Sequence, residues 1–164
     1  PRPVSSAASD VYKRQRLVRG EISDLASADA ELFDAVIVPG GFGAAKNLCT
    51  YAVDGENMKI NQAFETFIRS AISLKIPIGL VCIAPVMSGL LFGKGVSCTI
   101  GNDEQTAGVI RHTGAIHVDC NVDEICVDET YRLVTTPAYM LASTITDASK
   151  GITKLVEKVL KMAQ

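Results

Sequence analysis

Cys82 closes the run GLVC (Gly79 to Cys82), and Ala84-Pro85 begins the next element two residues later, so a stretch that reads as a buried strand stops on a thiol where a helix starts. A sharp strand-to-helix turn can lift a nucleophile above a sheet, and the start of the following helix favours its thiolate. In that arrangement the backbone N–H of Ile83 faces a developing oxyanion, and Gly41, in the loop of a neighbouring strand, supplies a second N–H. The competing reading is packing, because free cysteine is often buried. The residue types alone leave both open.

Other candidates carry less. PGGFGAAKNL (Pro39 to Leu48) has the spacing G-x-G-x-x-K, which fits neither a dinucleotide fingerprint nor a Walker loop. Its glycines serve either a tight turn with positive φ or a turn that aims N–H groups at a ligand. Cys98 and Cys126 fall inside expected strands, and Cys49 and Cys120 fall in connections with no visible base beside them, so all four are expected to pack. His117, in GAIHVDC, is the tempting base for a Cys-His pair, but a surface or edge role is expected. His112 lies near an expected helix C-terminus, where a partly charged imidazole suits the dipole. No C-x-x-C pair is present and the two histidines lie at no zinc-finger spacing, so neither a metal nor another cofactor is expected.

Whatever Cys82 does, a fold must hold it in place. The 164 residues, 48% of them hydrophobic, suit one domain with a substantial core. Sixteen basic and 18 acidic side chains give a net charge of -2 with no basic stripe, which leaves no electrostatic footprint for nucleic acid. No apolar run reaches the length of a bilayer span, so the chain is expected to be soluble with no membrane partner. Five cysteines, an odd number without a secretory mark, suggest a reducing, cytoplasmic setting.

The order of elements follows from two alternating periodicities. FDAVIVPGG (Phe33 to Gly41) predicts a buried strand running into a turn. From Asn61 as N-cap, Phe64, Phe67, Ile68, Ala71 and Ile72 predict an amphipathic helix with Glu65 and Arg69 in water. IPIGLVC returns to strand, followed by a short helix near Val86 to Phe92, a strand at VSCTI, and a helix around DEQTAGVIRHTG that Gly114 stops. EICVD and YRLVTT predict a hairpin at the sheet margin, turning at Glu129 and Thr130. Ile152, Leu155, Val156, Val159, Leu160 and Ala163 predict a C-terminal amphipathic helix on the sheet. The pattern is α/β with a largely parallel sheet covered on both faces, whose ligands bind beyond the carboxyl ends of the strands. Gly40, Gly41 and Gly43 after one strand and Cys82 after the next therefore meet at one rim.

With these residues in view, the chain resembles the ThiJ/PfpI superfamily of the class I glutamine amidotransferase-like fold, and within it the ElbB-like glyoxalase branch. The segments that carry the resemblance are RGEI, DAVIVPGGFGAAKNL, CIAP, TIGND with the following TA, GAIHV, VDE and VTTPAYML, in order from about Arg16 to Gln164. The resemblance implies a flavodoxin-like three-layer sandwich with Cys82 as the reactive cysteine of the nucleophile elbow and the amides of Gly41 and Ile83 as its oxyanion hole. It also implies a cofactor-independent conversion of a small aldehyde, glyoxal, to glycolate through a hemithioacetal on Cys82. Many relatives carry a histidine about twenty residues after the cysteine; here that region reads TIGND, which leaves Asn102 and Asp103, beside Gly40, as site-lining residues of unassigned role.

Relatives also place a glutamate after a first strand that has no counterpart here. Pro1 to Gln15 is polar, lacks apolar periodicity and matches nothing in the family, so residues 1–15 read as a foreign leader and 16–164 as a partial domain lacking its first strands. Loss of a strand beside DAVIV is expected to leave an apolar edge, which a homodimer would cover, and to impair the activity of this fragment. Two other functions compete. A non-catalytic redox-sensing or chaperone-like module would use an oxidisable Cys82. Glutamine amidotransfer would need a late histidine and acid, where this chain reads TTPAYML.

Overall fold

The structure, a computed structural model, describes residues 22–164. The expected leader and the RGEI segment up to Glu21 lie outside the described residues.

Four strands form the main sheet in the order β1 (Val36–Val38), β2 (Ile78–Val81), β6 (Leu133–Thr136), β5 (Cys126–Asp128). β1 pairs with β2 and β2 with β6 in parallel, whereas β5 runs antiparallel to β6. Side chains of β2 and β6 are buried on both faces, as expected for strands covered by helices on either side. Ile78, Leu80 and Leu133 enter one core, and Val81 and Val134 enter the other, the period of two that a pleated strand imposes. Among the described residues β1 has a strand neighbour on one side only.

The first core lies under α2 (Gln62–Ser73) and α3 (Ser88–Phe92). The Asn61 side chain accepts a hydrogen bond from the Phe64 N–H at 3.2 Å and caps α2, and Phe64, Ile68 and Ala71 turn inward. On its outer face Arg69 pairs with Glu65 at 2.8 Å and also donates to the Leu90 and Leu91 carbonyls, tying α2 to α3. A one-turn helix, α1 (Tyr51–Asp54), precedes α2 on the way from β1. Asp103 caps α4 (Glu104–His112), and Gly114, at φ 88°, ends that element as its sequence predicts.

The second core lies under α5 (Ile145–Ala163), which Thr144 caps by accepting from the Asp147 N–H. Ala148, Gly151, Leu155 and Val159 are its buried stripe. Leu160, expected in that stripe, is 55% exposed: it lies about 100° around the helix from Val159, beyond the width of the sheet contact.

The hairpin expected at the sheet margin is half marginal. β5 is an edge, but β6 lies inside the sheet between β2 and β5. Its turn is also longer than predicted, running from Glu129 to Arg132, because Asp128 pairs with Leu133 and the Asp128 carboxylate accepts from the Tyr131 N–H. A second, two-stranded parallel sheet joins β3 (Ser97–Cys98) to β4 (Ile116–His117). It hangs on the main sheet through side-chain oxygens: the Ser97 N–H donates to Asp128 Oδ2 at 2.8 Å and the Thr99 N–H to Thr135 Oγ1 at 2.9 Å. The whole is an α/β sandwich of helix, mostly parallel sheet and helix.

Gly79 is where α5 seats on β2: a Cβ there would lie 2.8 Å from Leu155 Cδ2 and 3.3 Å from both Ile37 Cγ1 and Val159 Cγ2. Gly79→Val is therefore expected to lower stability by about 1–3 kcal/mol through overpacking. Urea unfolding monitored by circular dichroism measures it, and a midpoint equal to wild type would contradict this seating.

Candidate functional site

β2 delivers Cys82 to the rim. The Cys82 N–H continues the β2–β6 ladder by donating to the Thr136 carbonyl at 3.0 Å, and the backbone then turns at φ 61°, a left-handed conformation that costs a non-glycine residue about 1–2 kcal/mol. A tight helical turn at Ala84–Met87 follows at once, earlier than the expected start near Val86. Pro85 suits its first turn, and all four of its side chains are buried. The strained residue is thus held between a fully buried strand and a fully buried turn.

The loop after β1 meets it. Gly40 and Gly41 have φ of 81° and 80° and are positive-φ turn residues, whereas Gly43 is right-handed at φ -61°. A Cβ on Gly40 would stand 2.3 Å from the Val81 carbonyl oxygen, whereas one on Gly41 would meet nothing within 4 Å. Gly40 is therefore a packing residue behind the site, and Gly41 borders open space. Among the described residues no protein acceptor takes a hydrogen bond from the N–H of Gly41 or of Ile83. The chain next forms a widened, π-helical turn at Ala44–Leu48, closed by the Cys49 N–H on the Ala44 carbonyl.

Together these loops border a cleft of about 300 Å³ lined by Gly41, Phe42, Ala45, Tyr51, Ala52, Cys82, Ile83 and Met140. The structure thus brings Gly41, Cys82 and Ile83 to one surface. Phe42, Tyr51 and Met140 complete it and were not singled out from sequence. An aromatic residue flanked by glycines in PGGFG was the available signal for Phe42. Nothing local marked Met140, which arrives from the turn after β6, Ala138–Met140.

Asn102 and Asp103 do not line this cleft. Asn102 borders a separate depression with Asp119, Cys120, Asn121 and Glu124. Asp103 Oδ2 accepts from the Thr106 hydroxyl at 2.6 Å and the Thr106 N–H at 2.8 Å, and those bonds lower its pKa. His117 is not in the cleft either, and it is no surface residue: its side chain is 1% exposed. Nε2 accepts from the Ile100 N–H at 3.4 Å, and Nδ1 lies 3.4 Å from the exposed Asp119 carboxylate. Burial pushes the His117 pKa down, against the opposing pull of Asp119. His112 ends α4 and faces Glu56 at 3.9 Å.

The five cysteines separate by environment. Cys82 is half-buried at the cleft, while the other four are buried. Burial pushes the Cys98 thiol up to about 12 and Cys126 up to about 11, and also raises Cys49 and Cys120. These four are held as neutral thiols. Among the described residues no group of three or more His, Cys, Asp or Glu could hold a metal ion, and no helix is long and apolar enough to cross a membrane.

No protein-family model matches the chain. It is 41% identical over 156 residues to the rat ES1 protein homolog, mitochondrial, and 41% identical over the same number to the human glutamine amidotransferase-like class 1 domain-containing protein 3, mitochondrial. Each match takes in 90% of this chain and 58% of the relative, so the chain spans little more than half the length of these proteins. Among solved structures, an isoprenoid biosynthesis protein with an amidotransferase-like domain from Ehrlichia chaffeensis aligns with a TM-score of 0.83 and 30% identity, over 93% of this chain and 70% of that one. Drosophila melanogaster DJ-1beta shares the fold at a TM-score of 0.50 and 22% identity, over 84% of this chain and 64% of that one. The names of the rat and human relatives overturn the cytoplasmic expectation, since both are mitochondrial proteins. Unpaired cysteines speak only to redox state, which more than one compartment shares.

Two outcomes follow from this environment. At pH 7.5, limiting iodoacetamide should label Cys82 at least about tenfold faster than any other cysteine, read by peptide mass spectrometry; earlier labelling of Cys98 or Cys126 would contradict the burial described. His117, whose ordinary pKa is near 6.5, takes up a proton less readily folded than unfolded. Stability should therefore fall as pH drops below about 6.5 and stop falling below the folded pKa, with no contribution above 6.5. Urea midpoints at pH 7.5 and 5.5 should differ less in His117→Gln than in wild type.

Proposed function

Because the chain belongs to the class I glutamine amidotransferase-like superfamily, that of the ThiJ/PfpI proteins, we propose that Cys82 is a nucleophile toward small reactive aldehydes, the glyoxalase chemistry of the ElbB-like branch. The observation that carries the reading is the placement of Cys82: a half-buried residue at φ 61° that lines one cleft with Gly41 and Ile83, whose N–H groups meet no protein acceptor among the described residues.

The steps balance without an external oxidant. Cys82 sulfur adds to one aldehyde carbon of glyoxal, and the carbonyl oxygen becomes the hydroxyl of a hemithioacetal after passing through an oxyanion that the Gly41 and Ile83 N–H groups receive. Movement of a proton from that carbon to its neighbour, through an enediol, together with transfer of the hydroxyl proton to the neighbour's oxygen converts the adduct to the thioester of glycolate, oxidising the first carbon as the second is reduced. Water then cleaves the thioester and releases glycolate and the free thiol. The proton transfer calls for a base within hydrogen-bond reach. Among the described residues that line the cleft none is a carboxylate, a histidine or a lysine, so addition is the step assigned to them.

Glyoxal should slow alkylation of Cys82 reversibly, and glycolate formation should fall at least about 10³-fold in Cys82→Ala, as loss of a covalent nucleophile requires. Glycolate production unchanged by that substitution would sink the proposal. Peroxide oxidation confined to Cys82, with no protection by aldehyde, would instead favour a redox sensor.

A further inference from the structure

The cleft beside Cys82 is larger and less polar than glyoxal requires. Its volume of about 300 Å³ is at the lower end for drug-sized ligands and far exceeds a two-carbon dialdehyde. Phe42, Ala45, Ile83 and Met140 are apolar, and apart from the Cys82 thiol the Tyr51 hydroxyl is the sole polar side-chain group among the described lining residues. Phe42 is 74% exposed at the mouth, so a large aromatic surface stands in water where a bound molecule would cover it.

We propose that the cleft selects uncharged carbonyl compounds bearing an apolar substituent and disfavours those bearing a carboxylate. The inference rests on the reading of Cys82 as a carbonyl nucleophile. Among the described residues a bound carboxylate would give up water without meeting a cation: Lys46, on the neighbouring turn, is exposed and does not line the cleft, and the Glu56–His112 pair lies in the adjoining groove beyond Tyr51. The two free amides cannot repay that loss, because the reacting oxygen occupies them. An alkyl or aryl group has the opposite balance. It displaces water from Phe42 and Met140 and fills space that glyoxal leaves empty. In order of preference, an aryl α-oxoaldehyde stands first, methylglyoxal next and glyoxylate last.

Alkylation of Cys82 tests the selectivity apart from turnover. In each reaction the sulfur displaces iodide from the reagent's carbon, and the reagents are N-benzyl iodoacetamide, iodoacetamide and iodoacetate. Rates at Cys82 in the full chain are read by peptide mass spectrometry, each divided by that reagent's rate with N-acetylcysteine. The normalised rate for N-benzyl iodoacetamide should exceed that for iodoacetate by at least about tenfold. Phe42→Ser, a change at an exposed position, should shrink the benzyl advantage severalfold, and Met140→Lys should raise the iodoacetate rate relative to iodoacetamide. A purely structural disturbance would slow all three reagents alike. Equal normalised rates in wild type, or iodoacetate as the fastest, would overturn the proposal. If the reagent order holds while glycolate formation ignores Cys82→Ala, the aldehyde reading fails and the selectivity of the cleft stands.

Discussion

The backbone at Gly40 passes so near the Val81 carbonyl that a Cβ there would lie 2.3 Å from its oxygen and 3.0 Å from the Cβ of Cys82. The rim is built around that approach. Parallel pairing of Val38 with Leu80 brings both strands to the same edge in register, and positive φ at Gly40 and Gly41 then turns the first loop away without a side chain to wedge the two apart. At this spacing Gly41, Cys82 and Ile83 line the same cleft. A larger residue at position 40 would separate the loops and dissolve the arrangement.

Cys82 depends on a second balance. Its left-handed backbone costs about 1–2 kcal/mol, and neither flank can relax to relieve it. Before it, β2 is buried on both faces; after it, the turn from Ala84 to Met87 is buried completely. The other four thiols contrast with it, since burial keeps them neutral.

Much of this was legible in the chain because it is local. Asn61 as a cap, Gly114 as a stop, and β2 as a buried strand each follow from a few neighbouring residues, and so did the meeting of Gly41 with Cys82 at one rim once parallel order was assumed. What escaped depends on long-range placement. The hairpin was readable, but not that β6 pairs with β2 and so lies inside the sheet. Phe42 and Tyr51 come to the cleft from the long connection between β1 and α2 and Met140 from the turn after β6, and no spacing announces that they meet. His117 does lie on an edge strand, but that its side chain is buried was not legible, because the Ile100 amide it accepts from belongs to another segment. Asp103 looked chemical because a helix cap and a site residue share one residue type.

The attachment of the β3–β4 pair to the main sheet is of another kind. Where a continuous ladder would bind it through repeated backbone pairs, two side-chain oxygens on Asp128 and Thr135 receive the amides of Ser97 and Thr99. Packing does the rest: Val96, Cys98 and Ile100 are fully buried in the same core as Ile78, Leu80 and Leu133. The Cys98 thiol also reaches the Pro85 carbonyl at 3.8 Å, in the turn that follows Cys82, so a displacement of this flank is felt directly behind the rim.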